Sequence, residues 1–120
     1  MKNKDDELSK ILINYSNDLS DKISEIELLL VNFLAHQKLE DLNSLYFKIH
    51  NVHGSAKTFG YSALSETAME LNQALSLLKN NFQPVTETQK NRLYDLFNKL
   101  KKASLKPDID FLSQFDNKTD

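Results

Sequence analysis

Apolar residues recur along the chain at intervals of three and four, the spacing that lines one face of an α-helix. Leu8, Leu12, Tyr15, Leu19, Ile23, Ile26, Leu30 and Phe33 form the first seam. A break expected near Asn17-Asp18 divides it into a short helix and a long one. A turn around Gln37-Lys38 leads to Leu42, Leu45, Ile49, Val52, Ala56 and Phe59, a second seam that Gly60 closes as a C-terminal glycine. Tyr61, Leu64, Ala68, Leu71, Leu75 and Leu78 make a third, stopped by Asn80-Asn81 and Pro84. Thr86 with Gln89 three residues on reads as a capping box opening a fourth, through Leu93, Leu96, Leu100 and Ala103, which Pro107 ends.

Four amphipathic helices with short connections predict an all-α fold, an antiparallel up-and-down four-helix bundle over residues 1–104 with a short extra N-terminal helix. Residues 105–120 form a short C-terminal tail that still carries Ile109, Phe111, Leu112 and Phe115. Such a tail is expected to pack as a short helix on the bundle before residues 116–120 become disordered; the alternative is a partner-binding peptide.

Composition narrows the function. The chain of 120 residues is 40% hydrophobic and 27% charged, which suits one soluble domain with one core. Its formal charge of −2 offers no basic field for nucleic acid. With no cysteine, disulfides, thiolate metal sites and a cysteine nucleophile are excluded. The start turns acidic before any long apolar run, unlike a secretory signal, and the longest apolar run, Leu28 to Val31, is too short to span a bilayer. A cytoplasmic monomer without membrane insertion is the expectation.

The candidate chemistry lies in His50-Asn51-Val52-His53-Gly54-Ser55-Ala56-Lys57-Thr58-Phe59-Gly60. At about 100° per residue, His50 falls about 130° from the centre of its helix's apolar stripe and His53 about 70°. His50 is therefore expected to be exposed and His53 to flank the core. Phe47, Gly54 and, towards the edge, Lys57 share the exposed sector with His50. Gly54 in a helix interior costs ~1 kcal/mol against alanine, which suggests that something must come close to the histidine. The trio resembles a docking surface around a reactive atom. His36, His50 and His53 as metal ligands are the weaker reading, because an i,i+3 pair lacks an accompanying Glu-x-x-His set.

This segment resembles the signature of histidine-containing phosphotransfer (HPt) domains of bacterial multistep phosphorelays, in which His-x-x-Lys-Gly-Ser/Ala is followed by a hydrophobe-Gly pair. His50, Gly54, Ser55, Ala56, Phe59 and Gly60 match in register, and the likeness continues through Leu64, Ala68 and Leu71. By this resemblance His50 is the phosphoryl acceptor, with no cofactor bound by the chain itself. The implied partner is a response-regulator receiver domain, free or in a hybrid sensor kinase, which brings an aspartate, a lysine and Mg²⁺. The protein is then a phosphoryl carrier between receiver aspartates, without kinase or ATPase activity.

Two positions depart from the pattern. The family's lysine three residues after the acceptor is His53 here, and an imidazole with a reference pKa of about 6.5 supplies only part of a positive charge near neutrality. His53 either assists weakly, in a pH-dependent way, or is structural, satisfying a backbone carbonyl or a neighbouring hydroxyl. The family's Glu or Gln twenty-two residues after the acceptor is Asn72. If Asn72 accepts a hydrogen bond from His50 Nδ1–H, Nε2 is left as the nucleophile. The runner-up function is a helical adaptor or inhibitor that binds a receiver or kinase domain but has lost efficient transfer.

Overall fold

The computed structural model describes residues 2–80 and 83–108. Four helices carry all the regular structure there: α1 (Lys2–His36), α2 (Leu39–Ala56), α3 (Ser62–Asn80) and α4 (Glu87–Ala103). α2 packs against both α1 and α3, and α4 packs chiefly against α3. The expected seams meet inside: Phe33, Ile26, Leu42, Ile49, Leu64, Leu75, Leu93 and Leu100 are all essentially inaccessible to solvent. Phe97, off the predicted stripe of α4, is equally buried and widens it.

The separate N-terminal helix is corrected, because α1 runs unbroken through Asn17 and Asp18. Both lie on its exposed face between the buried Tyr15 and Leu19. Asn and Asp cost only tenths of a kcal/mol in a helix interior, too little to interrupt a seam that remains buried on either side. At 1.5 Å per residue α1 is about 52 Å long, and it sets the 57 Å length of a molecule only 20 by 19 Å across. The 109–120 part of the expected tail lies outside the described residues.

Local chemistry ends each helix. Gln37 turns α1 with φ 51°, its N–H donating to the Phe33 carbonyl at 2.6 Å, while its Oε1 accepts the Val85 N–H at 2.8 Å. After α2, Tyr61 N–H donates to the Ala56 carbonyl at 2.8 Å and Gly60 N–H to that of Lys57 at 3.2 Å, with Gly60 at φ 86°. This is the paired closing arrangement that a left-handed residue makes possible, and it confirms Gly60 as the helix stop. Thr86 and Gln89 form the reciprocal capping box on α4.

The same turn fastens α1. Tyr15 stacks on Phe59 with ring centroids 4.3 Å apart and its hydroxyl hydrogen-bonds Ser55 Oγ at 3.0 Å. Burial pushes the Tyr15 phenol above its ordinary value, against the Ser55 hydrogen bond, which lowers it.

Replacing Gly60 by alanine forces a side chain into the left-handed region, so Gly60→Ala is expected to cost about 1–2 kcal/mol. Urea unfolding reads this as a lower midpoint at unchanged slope.

Candidate functional site

The packing of α2 decides what reaches solvent. Leu42, Leu45, Ile49, Val52 and Ala56 are buried, so the opposite face must carry the residues between them. His50 is exposed there, Phe47 is 63% exposed, Gly54 and Lys57 are exposed, and His53 sits half-buried at the border. A Cβ built on Gly54 would meet nothing within 4 Å. Packing among the described residues therefore gives no reason for a glycine at this place.

One turn before His50, Tyr46 holds its ring nearly parallel to the imidazole, 6° between planes and 6.3 Å between centroids. Lys79, in the last turn of α3, lies over the other ring system at 5.6 Å from the Tyr46 centroid. An open cavity of about 460 Å³ lies between α2 and α3; Tyr46, His50 and His53 line it from one side, Met69, Asn72 and Leu77 from the other. Met69 is 43% and Leu77 73% exposed, so with Phe47 they surround the imidazole with accessible apolar surface.

The two histidines differ in what holds them. His53 Nδ1 lies 3.0 Å from the Ser65 carbonyl oxygen, which can only accept, so the proton resides on Nδ1. Ser65 Oγ lies 3.3 Å from the same nitrogen and donates to the His53 carbonyl at 3.1 Å. This pairing ties α2 to α3 and leaves Nε2 as the free nitrogen of the ring. His53 thus has a carbonyl and a hydroxyl as partners, while its ring still lines the cavity beside His50.

Asn72 is 93% buried on α3, and its Oδ1 has no hydrogen-bond partner among the described residues. It lines the cavity with His50 without being bonded to it. A buried carbonyl without a donor costs about 1–3 kcal/mol, so this oxygen is poised to accept an N–H. His36 stands in the last turn of α1, outside the lining of this cavity. Among the described residues no three His, Asp or Glu side chains gather to hold a metal ion.

The sequence pointed to His50, His53, Gly54, Phe47, Lys57 and Asn72; the structure brings His50, His53 and Asn72 to one cavity and places Phe47, Gly54 and Lys57 on the exposed face of α2 or just beyond its end. Tyr46, Met69 and Leu77 were missed. Tyr46 is recoverable from its i,i+4 spacing to His50, and Leu77 and Met69 from lying off the α3 seam.

No curated protein and no solved structure matches this chain. The model of the Hpt domain family matches residues 10–103, which contain α2, α3, α4 and most of α1. With a bundle of four helices and an exposed histidine in register with the phosphotransfer signature, the chain belongs to the Hpt domain family.

Proposed function

We propose that this protein is a histidine phosphotransfer carrier in which His50 takes a phosphoryl group from the phospho-aspartate of a receiver domain and passes it to an aspartate of another. The observation that carries this reading is an exposed imidazole flanked, one turn on, by a glycine with open space above it. Accessible Phe47, Met69 and Leu77 supply apolar contact for the partner, and Lys57 a charge at its edge. The short connections between packed neighbours support an antiparallel up-and-down course of the helices.

The chemistry needs little from this chain. The lone pair of His50 Nε2 attacks phosphorus; the new N–P bond forms as the acyl-phosphate P–O bond breaks, and the aspartate leaves as a carboxylate. The His50 proton stays on Nδ1, where a small swing of Asn72 lets Oδ1 accept it and removes the cost of a partnerless buried oxygen. The second receiver reverses these steps. Neutralising the phosphoryl oxygens falls to the receiver, through its lysine and Mg²⁺, as the family likeness implies; this chain contributes no cofactor and no kinase or ATPase activity. Among the described residues no helix is long and apolar enough to cross a membrane. The proposed carrier is a cytoplasmic monomer that acts without nucleic acid.

His53 favours a second reading, an adaptor or inhibitor that binds a receiver or kinase without efficient transfer. It stands where the family carries lysine, and its Nδ1 is already committed to Ser65.

Incubation with a phosphorylated receiver is expected to leave acid-labile, base-stable label on the wild type and none on His50→Ala. Tight binding without label on the wild type would favour the adaptor. His53→Lys is expected to speed transfer severalfold; an unchanged rate would show that charge at this place is not limiting. Gly54→Ala is expected to stabilise α2 by up to about 1 kcal/mol, since the added methyl meets nothing, yet to slow transfer. A bulkier Gly54→Phe that transfers at the wild-type rate would show that the open space is not used by the partner.

A further inference from the structure

Exposure alone leaves an imidazole free to turn. The torsion that rotates its ring is broad and two-fold, and His50 projects from α2 on the side away from the packed stripe. Attack on phosphorus asks for more than access, because the nitrogen lone pair lies in the plane of the ring and must point along the line of displacement. Rotating the ring about its bond to the chain swings that lone pair round a cone. Most of the positions on such a cone are unproductive for any one placement of the donor phosphate.

The structure lays a second ring alongside the first. Tyr46 precedes His50 by four residues, which sets the two about 6 Å apart along the helix axis and about 40° apart around it. Their rings lie 6° from parallel with centroids 6.3 Å apart, within the range of offset stacking. Tyr46 is itself held in place. It is half-buried against the core of the bundle, and Lys79 Nζ of α3 stands 5.6 Å from its ring centroid. The ring beside the imidazole is therefore braced by two helices, and both rings line the cavity between them.

We propose that Tyr46, braced by Lys79, is a positioning residue that fixes the plane of the His50 imidazole so that Nε2 meets phosphorus in line. The proposal rests on the carrier reading of His50 and adds the residue that aims it. Tyr46 exchanges no proton and acts only through His50. Stacking fixes the plane, while the choice between the two flips within it belongs to the contact of Nδ1 with Asn72.

Ring ¹³C relaxation of the three histidines reads the proposal without any partner. The His50 ring is expected to be as ordered as that of His53, which Ser65 anchors. In Tyr46→Leu the His50 ring should gain amplitude while the His53 ring stays unchanged, and Tyr46→Phe, which keeps the aromatic face, should restore the order. With a saturating phosphorylated receiver, the single-turnover rate of Tyr46→Leu is expected to fall about five- to tenfold, with Kd for the receiver kept within about twofold and the rate recovered in Tyr46→Phe. Unchanged order of the His50 ring in Tyr46→Leu overturns the proposal. A loosening shared equally by His53, or a loss of transfer carried by Kd alone, also overturns it, because either marks Tyr46 as a packing or docking residue. A wild type that takes no label from the receiver sinks the carrier reading instead, and the ring-order comparison keeps the two failures apart.

Discussion

The burial of Ile49 and Val52 is the constraint on which the site depends. Both are nearly inaccessible, one against each side of the α2 stripe, and a helix that turns 100° per residue cannot bury them without presenting His50 outward. The outward position of the His50 imidazole is thus set by packing of the opposite face. Anything that rotates α2 in its bed between α1 and α3 also rotates the imidazole. The Tyr15–Ser55 hydrogen bond on one side and the His53–Ser65 pair on the other oppose such rotation by tying α2 to both neighbours.

Two imidazoles three residues apart illustrate how environment divides one side chain into two roles. His53 has a carbonyl acceptor at hydrogen-bond distance, which fixes its proton and its orientation. His50 has a parallel tyrosine ring and, on the facing helix, a buried carboxamide oxygen awaiting a donor. The first arrangement holds helices together. The second leaves the His50 ring exposed, with Asn72 lining the same cavity.

Much of this was legible in the spacing of apolar residues. The seams located all four helices because burial acts on the three-four period directly, and the Thr86–Gln89 box and Gly60 were legible because their backbone roles demand those residue types. The supposed break at Asn17-Asp18 misled because local propensity is worth tenths of a kcal/mol per residue, whereas Tyr15 and Leu19 on either side are both buried. Gln37 in a left-handed conformation could not be read, since its support is a bond to Val85, forty-eight residues away. For the site, wheel geometry sufficed to expose His50, Phe47 and Gly54 and to half-bury His53. The partner of His53 and the orphaned oxygen of Asn72 depend on how α3 lies against α2, a relation between helices that no single-helix pattern contains.

On the proposed reading, the accessible apolar surface of Phe47, Met69 and Leu77 near His50 suits what a carrier must do. Differential binding sets both directions of a reversible transfer, and cations fixed around the phosphohistidine would stabilise that intermediate and slow its discharge. Charge supplied by the receiver is instead present during each encounter and withdrawn afterwards. A face built of an imidazole, a bare glycine and apolar side chains meets that requirement, for it contributes area and placement without holding the group. Beside that face, His53 is anchored through Nδ1 to the Ser65 carbonyl and so links α2 to α3.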